Sequence, residues 1–305
     1  MKFHLPLFLS FLFCFCVCSS AFSESKQEIK HAEIKYVHVD GVSLAYYIKG
    51  NGKPLLMING FLSTMSLWDP ALLDRLAKKH TLILVDNRGV GFSTDTKENH
   101  TTIPRMADDA AGLIRQLGYK KVDILAWSMG ARIGQQLLIR HPRVVDHAIL
   151  CSANPGGTHA IPTSPAVETR LNDPNLPEMK KMGLVFPDNR EGRVAAAECL
   201  GRIRNAAKSG AIPNDFDVSH ETSVRQTRAR TVLWGGSDEN YKALKHIRNP
   251  VLLADGVDDV IDRPQNSIVI ANQIPFAWTA FLKGGHAFLF QSSKQFAELV
   301  NAFLQ

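Results

Sequence analysis

At residues 125–131 the chain reads Leu-Ala-Trp-Ser-Met-Gly-Ala, between a run of apolar residues and a run with helical periodicity. A side chain presented on a sharp strand-to-helix turn needs small residues two positions before and after it, because larger ones would clash where the chain reverses. Ala126 and Gly130 meet this requirement around Ser128. The motif therefore predicts that the Ser128 hydroxyl stands above the edge of a sheet, and a simple helix N-cap is the alternative.

Short apolar runs rich in β-branched residues alternate with longer helical patterns on both sides of this turn. Residues 54–58 and 81–85 are continuous apolar runs, typical of strands buried on both faces. Asp40-Gly41 separates two runs with the pattern of an opening hairpin. The alternation predicts an α/β fold, with a mostly parallel sheet flanked by helices.

Residues 155–239 break this rhythm with Gly156-Gly157, several prolines and two or three helical pieces. We interpret this segment as a helical cap inserted into the sheet domain. The core is then formed by residues 22–154 and 240–305.

The first 21 residues have the features of a secretory signal peptide. Lys2 precedes an almost wholly apolar run at residues 5–17, which is shorter than the ~20 residues that span a bilayer. Small residues follow, and cleavage is predicted after Ala21 or after Ser23. The mature protein is expected in the periplasm or secreted, without a membrane span; a lipoprotein anchor is the alternative, because cysteines lie beside the run.

The overall composition is that of a globular protein. Of 305 residues, 45% are hydrophobic and 21% are charged, and the formal charge of +6 is spread without a run of five basic residues. This distribution argues against nucleic-acid binding. No motif with zinc or calcium spacing is present, so we expect neither a metal nor a cofactor, and the expected partner is a small-molecule substrate.

Two cysteines, Cys151 and Cys199, remain after removal of the signal peptide. A disulfide between them and two buried thiols are both compatible with an exported protein.

A serine nucleophile requires a base and an acid that orients the base. Residues 250–261 form an apolar run that ends in several carboxylates, and His286 follows Gly284-Gly285 after a later apolar run. The order serine, acid, histidine supplies a triad of Ser128, His286 and either Asp259 or Asp258.

Together these motifs resemble the α/β-hydrolase superfamily over nearly all of the mature chain, and in particular its cap-bearing serine hydrolases. The resemblance implies an eight-stranded sheet and assigns the acid to Asp259, the fourth position of a Gly-x-x-Asp loop. It also assigns the oxyanion hole to the backbone amides of Phe61 and Met129. Asn59 stands where the family usually has histidine, which puts the support of that loop in doubt.

We therefore predict a serine hydrolase that cleaves a carboxylic ester, thioester or lactone. An amidase related to proline iminopeptidase, an acyltransferase or cofactor-free perhydrolase, and a non-catalytic binding protein are the alternatives. Trp127, Phe186 and Trp234 are candidate substrate contacts, whereas Arg88 is expected to stabilise loops. Oligomeric state is not readable from the sequence.

Overall fold

The computed structural model describes residues 32–96, 101–171, 173, 176 and 178–305. The predicted signal peptide lies outside these residues. Eight strands form one sheet, and their bounds are β1 Lys35–Val39, β2 Val42–Lys49, β3 Lys53–Ile58, β4 His80–Val85, β5 Val122–Trp127, β6 Val145–Cys151, β7 Val251–Gly256 and β8 Ala277–Leu282.

The strand order is β1-β2-β4-β3-β5-β6-β7-β8. Strand β2 is antiparallel to β1 and β4, and every pair from β4 to β8 is parallel. Asp40 and Gly41 have φ values of 43° and 81°, as a tight hairpin turn requires. The predicted eight-stranded, mostly parallel sheet is confirmed.

Helices cover both faces of the sheet. They are α1 Pro70–Leu76, α2 Ile103–Gln116, α3 Met129–Arg140, α9 Gln265–Ala271, α10 Phe288–Gln291 and α11 Ser293–Phe303. One apolar core lies between the sheet and α2 and α3, and a second lies between the sheet and α1 and α11. All six residues of β5 are buried, and five of them are apolar, as expected for a strand covered on both faces.

The chain between β6 and β7 is largely helical. It contains α4 Pro165–Leu171, α5 Glu178–Val185, α6 Arg190–Lys208, α7 His220–Thr227 and α8 Glu239–Leu244, with a π-helical segment, Arg228–Trp234, after α7. The division of the chain into core and cap at residues 155 and 239 stays a prediction.

Hydrogen bonds attach α7 to the loops that follow β3 and β4. The Leu62 amide donates to Gln226 Oε1 at 2.9 Å, and Thr222 Oγ1 donates to the Gly89 carbonyl at 2.7 Å. Arg225 Nη1 contacts Asp95 Oδ2 at 2.6 Å. These contacts fix the start of the π-helical segment relative to the sheet edge where Ser128 lies.

Arg88 is fully buried and has a structural role. Its Nε and Nη2 each donate to the carboxylate of Asp109 at 2.6 Å. This paired geometry is the strongest hydrogen bonding available to a guanidinium, and it joins the loop after β4 to α2.

Cys151 and Cys199 are both buried and not disulfide-bonded to each other. Burial raises the pKa of each thiol above its usual value. In the part of the chain that the structure describes, no helix has the length and apolarity needed to cross a membrane.

Candidate active site

Ser128 occupies a strained turn between β5 and α3. Its φ of 60° and ψ of −122° are unfavourable for a residue with a Cβ atom, and such strain concentrates at functional sites. The Ser128 amide donates to the Cys151 carbonyl at 2.9 Å, which holds the turn against β6. A Cβ atom at Gly130 would lie 2.3 Å from the Ile58 carbonyl oxygen, so only glycine fits there.

His286 lies between Ser128 and Asp259. Its Nε2 is 2.8 Å from Ser128 Oγ, and its Nδ1 is 2.7 Å from Asp259 Oδ2. Asp259 is buried, whereas Asp258 is exposed. The structure therefore brings Ser128, His286 and Asp259 together in the relative positions that a nucleophile, a base and an orienting acid require.

Backbone amides hold the Asp259 carboxylate in place. The amides of Ile261 and Asp262 donate to Asp259 Oδ1 at 2.8 and 3.1 Å, leaving Oδ2 for His286. This division of the two oxygens fixes the direction in which the carboxylate meets the imidazole.

Two effects oppose each other at His286. Burial disfavours the charged imidazolium, but the charge and hydrogen bond of Asp259 favour it more strongly, and the pKa of His286 is raised above its usual 6.5. A histidine with a raised pKa is a stronger proton acceptor once it is neutral.

A second carboxylate, Asp255, lies behind this pair. Burial and the nearby charge of Asp259 raise the pKa of Asp255 well above its usual value. Ser267 Oγ donates to Asp255 at 2.7 Å, and the Gly256 amide donates at 2.9 Å. A raised pKa favours the neutral form of Asp255, and the carboxylate that contacts His286 is that of Asp259.

The loop after β3 passes close to Ser128. A Cβ atom at Gly60 would lie 3.0 Å from Ser128 Cβ and 3.4 Å from Ser128 Oγ. Phe61 follows this close approach, and Met129 begins α3, so its N–H is one of those that a helix leaves without an intrahelical acceptor. Both predicted oxyanion-hole residues thus adjoin the serine.

Asn59 supports this loop although it replaces the histidine usual in the family. Its side chain is buried, accepts a hydrogen bond from the Gly60 amide at 3.1 Å and donates to the Thr64 carbonyl. Asn87 Nδ2 donates to the Asn59 carbonyl at 3.3 Å. The doubt raised by the substitution is therefore removed.

Trp127 lies beside His286. Its indole Nε1 donates to the His286 carbonyl at 2.8 Å, and the two ring centres are 5.5 Å apart. The indole also lines the cavity next to Ser128. Trp127 thus positions the histidine backbone in addition to bordering the cavity.

A cavity of about 140 Å³ opens at Ser128 and His286. Its walls are mostly apolar, contributed by Phe61, Trp127, Leu171, Val185 and Ile261. Cavities of this size accommodate small organic molecules.

Phe186 and Trp234, the other two predicted substrate contacts, are not brought to this cavity. Phe186 packs in the apolar core formed with α1 and α11. Trp234 packs in the opposite core and lines a different depression, beside Ile103 and Asn240. These two aromatic residues are explained by packing, which the sequence does not distinguish from ligand contact.

Three charged residues at the cavity were not found from the sequence. Arg132, Arg230 and Asp262 all line it. Arg132 follows Ser128 by one helical turn, and that spacing places it on the same face of α3. Arg230 offered no such signal, because its position depends on how the segment between β6 and β7 folds back.

One described group outside this site has the ligand atoms of a metal site, namely Asp123, Asp146 and His147. Lys53 Nζ contacts both carboxylates, at 3.1 and 3.0 Å. A metal ion would have to displace this ammonium group, and the cluster is explained as an ion-pair network at the other end of the sheet.

A sequence profile described as "alpha/beta hydrolase fold" matches residues 53–293. This match covers the loop with Gly60, the Ser128 turn with Gly130, and the loops that carry Asp259 and His286.

Individual relatives match over most of their length. BpoC of Mycobacterium tuberculosis, which carries the name of a non-heme bromoperoxidase, is 26% identical over 77% of this chain and 86% of its own. The 2-hydroxymuconate semialdehyde hydrolase of a Pseudomonas species is 26% identical over 87% of this chain and 91% of its own. The solved structure of an alpha/beta hydrolase fold protein from Chitinophaga pinensis is similar with a TM-score of 0.79 and 26% identity, over 90% of this chain and 98% of that one.

Proposed function

The chain belongs to the α/β-hydrolase family and is a hydrolase of that superfamily, and we propose that it is an exported serine hydrolase of a small carboxylic ester, thioester or lactone. The observation that carries the proposal is the contact of His286 with both Ser128 Oγ and Asp259 Oδ2, at 2.8 and 2.7 Å.

In the first half of the reaction Ser128 Oγ attacks the substrate carbonyl carbon while its proton passes to His286 Nε2. The Asp259 carboxylate stabilises the imidazolium that results. The amides of Phe61 and Met129 donate to the oxyanion of the tetrahedral intermediate. Collapse breaks the bond to the alcohol, thiol or lactone oxygen, which takes the proton from His286 and leaves an acyl-serine.

In the second half water attacks the acyl-serine. His286 removes a proton from the water, the oxyanion forms again at the same amides, and collapse returns the proton to Ser128 Oγ. The products are a carboxylic acid and an alcohol or thiol, or a hydroxy acid when the substrate is a lactone. No cofactor is required by these steps.

The charges around the cavity favour an ester, thioester or lactone hydrolase over an aminopeptidase. An aminopeptidase needs an acidic group for the substrate amine. Glu191 pairs with Lys283 and Glu198 with Arg202, and both glutamates are exposed. Asp262, the acid among the described residues that line the cavity, is paired with Arg132. The side chain of a further glutamate of the segment between β6 and β7, Glu178, lies outside the described residues.

The test is hydrolysis of short 4-nitrophenyl esters by purified Ser128→Ala. We expect a loss of kcat of about 10⁴-fold or more, since removal of a triad member leaves only the contribution of binding and the oxyanion hole. A fluorophosphonate probe should label the wild type at Ser128.

Ser209→Ala is the matched control, because Ser209 Oγ donates to the Ala206 carbonyl at the end of α6 and does not line the cavity. Unchanged ester turnover in Ser128→Ala would contradict the proposed nucleophile. Absence of probe labelling in the folded wild type would favour a non-catalytic binding protein.

Export is tested separately by N-terminal sequencing of protein recovered from cells that produce the full chain. We expect the chain to begin after Ala21 or Ser23. An acylated cysteine at the N-terminus would indicate a lipoprotein anchor, and an intact Met1 in cell-associated protein would contradict cleavage.

A further inference from the structure

The cavity at Ser128 contains more positive charge than the triad chemistry uses. Two arginines, Arg132 and Arg230, and one carboxylate, Asp262, line it. The proposed reaction forms its oxyanion at backbone amides and needs no guanidinium. The presence of two in so small a space calls for an explanation in terms of ligand binding.

Arg132 is neutralised by its surroundings. Its Nη2 donates to both oxygens of Asp262, at 3.0 and 3.2 Å, and both side chains are buried. The Arg132 Nη1 also donates to the carbonyl of Arg230 at 3.4 Å. Arg132 therefore acts as a support for Arg230 and contributes little net charge.

Arg230 has no comparable partner within the described residues. Its ion pair is with Glu168, at a long 3.8 Å, and only 12% of the Arg230 side chain is exposed, against 38% for Glu168. Its Nε is buried without an acceptor among those residues, and the same is true of Arg132 Nε. Buried donors without acceptors are rare in folded proteins. The hydrogen-bonding capacity of the Arg230 guanidinium is thus not used up by the protein, and its long ion pair with Glu168 leaves it able to bind a further anion at the cavity that it lines.

Electrostatic effects agree with this geometry. Burial lowers the pKa of Arg230, and the neighbouring charge of Arg132 lowers it further, with Glu168 and Asp262 opposing them. The negative charge of a bound anion would offset both effects that lower the pKa of Arg230. The guanidinium nevertheless stays charged at any ordinary pH.

Arg230 also contacts a residue of the proposed oxyanion hole and lines the same cavity as Ser128. Its guanidinium carbon lies 4.9 Å from the centre of the Phe61 ring, and the Phe61 amide is a proposed oxyanion donor. Arg230 belongs to the π-helical segment 228–234, a conformation that is rare and is frequently found at functional sites. An anion held by Arg230 would thus share the small cavity with the scissile carbonyl.

We propose that Arg230, supported by Arg132, binds the carboxylate of an anionic substrate, so that the preferred substrate is a short ester or lactone that carries a free carboxylate. This inference rests on the proposed function for the reaction but names a separate binding contact. A planar guanidinium suits a carboxylate, which it can bind through two parallel hydrogen bonds.

The kinetic test compares mono-4-nitrophenyl adipate with 4-nitrophenyl methyl adipate, which differ in one terminal carboxylate. We expect the wild type to favour the anionic ester by about tenfold or more in kcat/KM, as one charge-assisted contact supports. Arg230→Gln should abolish the preference by lowering turnover of the anionic ester, with a change of less than about threefold for the neutral ester.

Matched variants separate charge from structure. Arg228→Gln removes an exposed arginine from the same π-helical segment and should change neither rate. Arg230→Lys keeps the charge without the planar geometry and should retain part of the preference. If Arg230→Gln fails to fold, the ratio of kcat/KM for the two esters in the wild type and in Arg230→Lys still tests the proposal. Equal wild-type rates for the two esters, or an equal loss of both in Arg230→Gln, would overturn the proposal.

Calorimetry of monomethyl adipate binding to Ser128→Ala tests the same contact without turnover. Binding that disappears in the double variant with Arg230→Gln supports the anion site even if the ester chemistry is wrong. Absence of binding, together with Ser128-dependent hydrolysis of the neutral ester, would remove the anion site and leave the proposed hydrolase intact.

Discussion

Gly130 illustrates how a single residue controls the nucleophile turn. An added Cβ atom would approach the carbonyl oxygens of Ile58 and Asn59 to 2.3 and 2.8 Å. We expect Gly130→Ala to lower the free energy of unfolding by about 1–3 kcal/mol, the usual cost of overpacking, and to reduce esterase activity by displacing Ser128. Urea denaturation followed by circular dichroism measures the first effect.

Gly201→Ala provides the matched control within a helix. Gly201 lies in α6, and an added Cβ atom there would meet no heavy atom within 4 Å. Alanine should therefore stabilise α6 by ~0.5–1 kcal/mol, because it loses less backbone entropy on folding than glycine. Similar urea midpoints for the two variants would contradict the steric argument at Gly130.

The raised pKa of His286 predicts the acid limb of the pH profile. Only neutral imidazole accepts the Ser128 proton, so kcat/KM should rise with pH through an apparent pKa above 6.5. Asp259→Asn removes the charge that favours the imidazolium. The apparent pKa should then fall, and kcat should drop by about 10³–10⁴-fold.

Initial rates with a neutral 4-nitrophenyl ester between pH 5 and 9 provide the measurement. Asp258→Asn is the control, since Asp258 is exposed and Asp259 is the residue in contact with His286. An acid limb that moves in Asp258→Asn and not in Asp259→Asn would reverse the assignment.

At the scale of elements, one ion pair joins α6 to the start of α1. Arg202 Nε and Nη2 donate to the two oxygens of Asp69 at 2.9 and 2.6 Å, and the same carboxylate caps α1 by accepting from the Ala71 amide. Asp69 is fully buried, while 35% of the Arg202 side chain is exposed.

Removing Arg202 should therefore weaken the attachment of α6. Because Arg202→Ala leaves a buried carboxylate with fewer partners, we expect it to lower the free energy of unfolding by roughly 1–3 kcal/mol, less than for a fully buried pair. Arg193→Ala breaks a pair with Asp188 in which both side chains are mostly exposed, and should cost less than about 1 kcal/mol. Equal effects in thermal unfolding would refute the difference in burial as the cause.

The sequence predicted the elements whose signal is local. The strands, the hairpin at Asp40-Gly41 and helix α3 at Met129–Arg140 follow from apolar periodicity and from turn residues. Within the helical pieces expected in residues 155–239, the structure ends α7 at Thr227 and continues as a π-helix over Arg228–Trp234. A pattern this short does not distinguish the two helical periods.

In the candidate site, the three triad residues could be identified from the sequence, but the three charged residues beside them at the cavity were not. Ser128, Asp259 and His286 lie together because each sits in a turn with its own sequence motif. Arg230 was missed, and Phe186 and Trp234 do not line the cavity at Ser128, because residues between β6 and β7 are positioned by tertiary contacts. The Arg225–Asp95 pair is one such contact, and its partners are 130 positions apart in the sequence.

For the whole molecule, the buried thiols give a prediction that also reports on processing. The mature chain should contain two thiols, Cys151 and Cys199, because the other three cysteines lie in the predicted signal peptide. Burial and the raised pKa of each thiol should make both unreactive in the native protein.

Titration with a thiol reagent should accordingly find no reaction before denaturation and two equivalents after it. Five equivalents would mean that the signal peptide is retained. No reaction after denaturation would mean that the cysteines are oxidised.

The strands on either side of the long helical segment are direct neighbours. Strand β6 is parallel to β7, with Ala148 opposite Val251 and Cys151 opposite Ala254, so the sheet holds the two ends of the intervening chain at a fixed separation on neighbouring strands. Closing a longer loop between fixed ends costs only about 0.6 kcal/mol for each doubling of its length. The segment that carries Arg230 can therefore change in length or sequence during evolution while the sheet and the Ser128 turn stay the same. Substrate specificity can change in this way without a change in the catalytic residues.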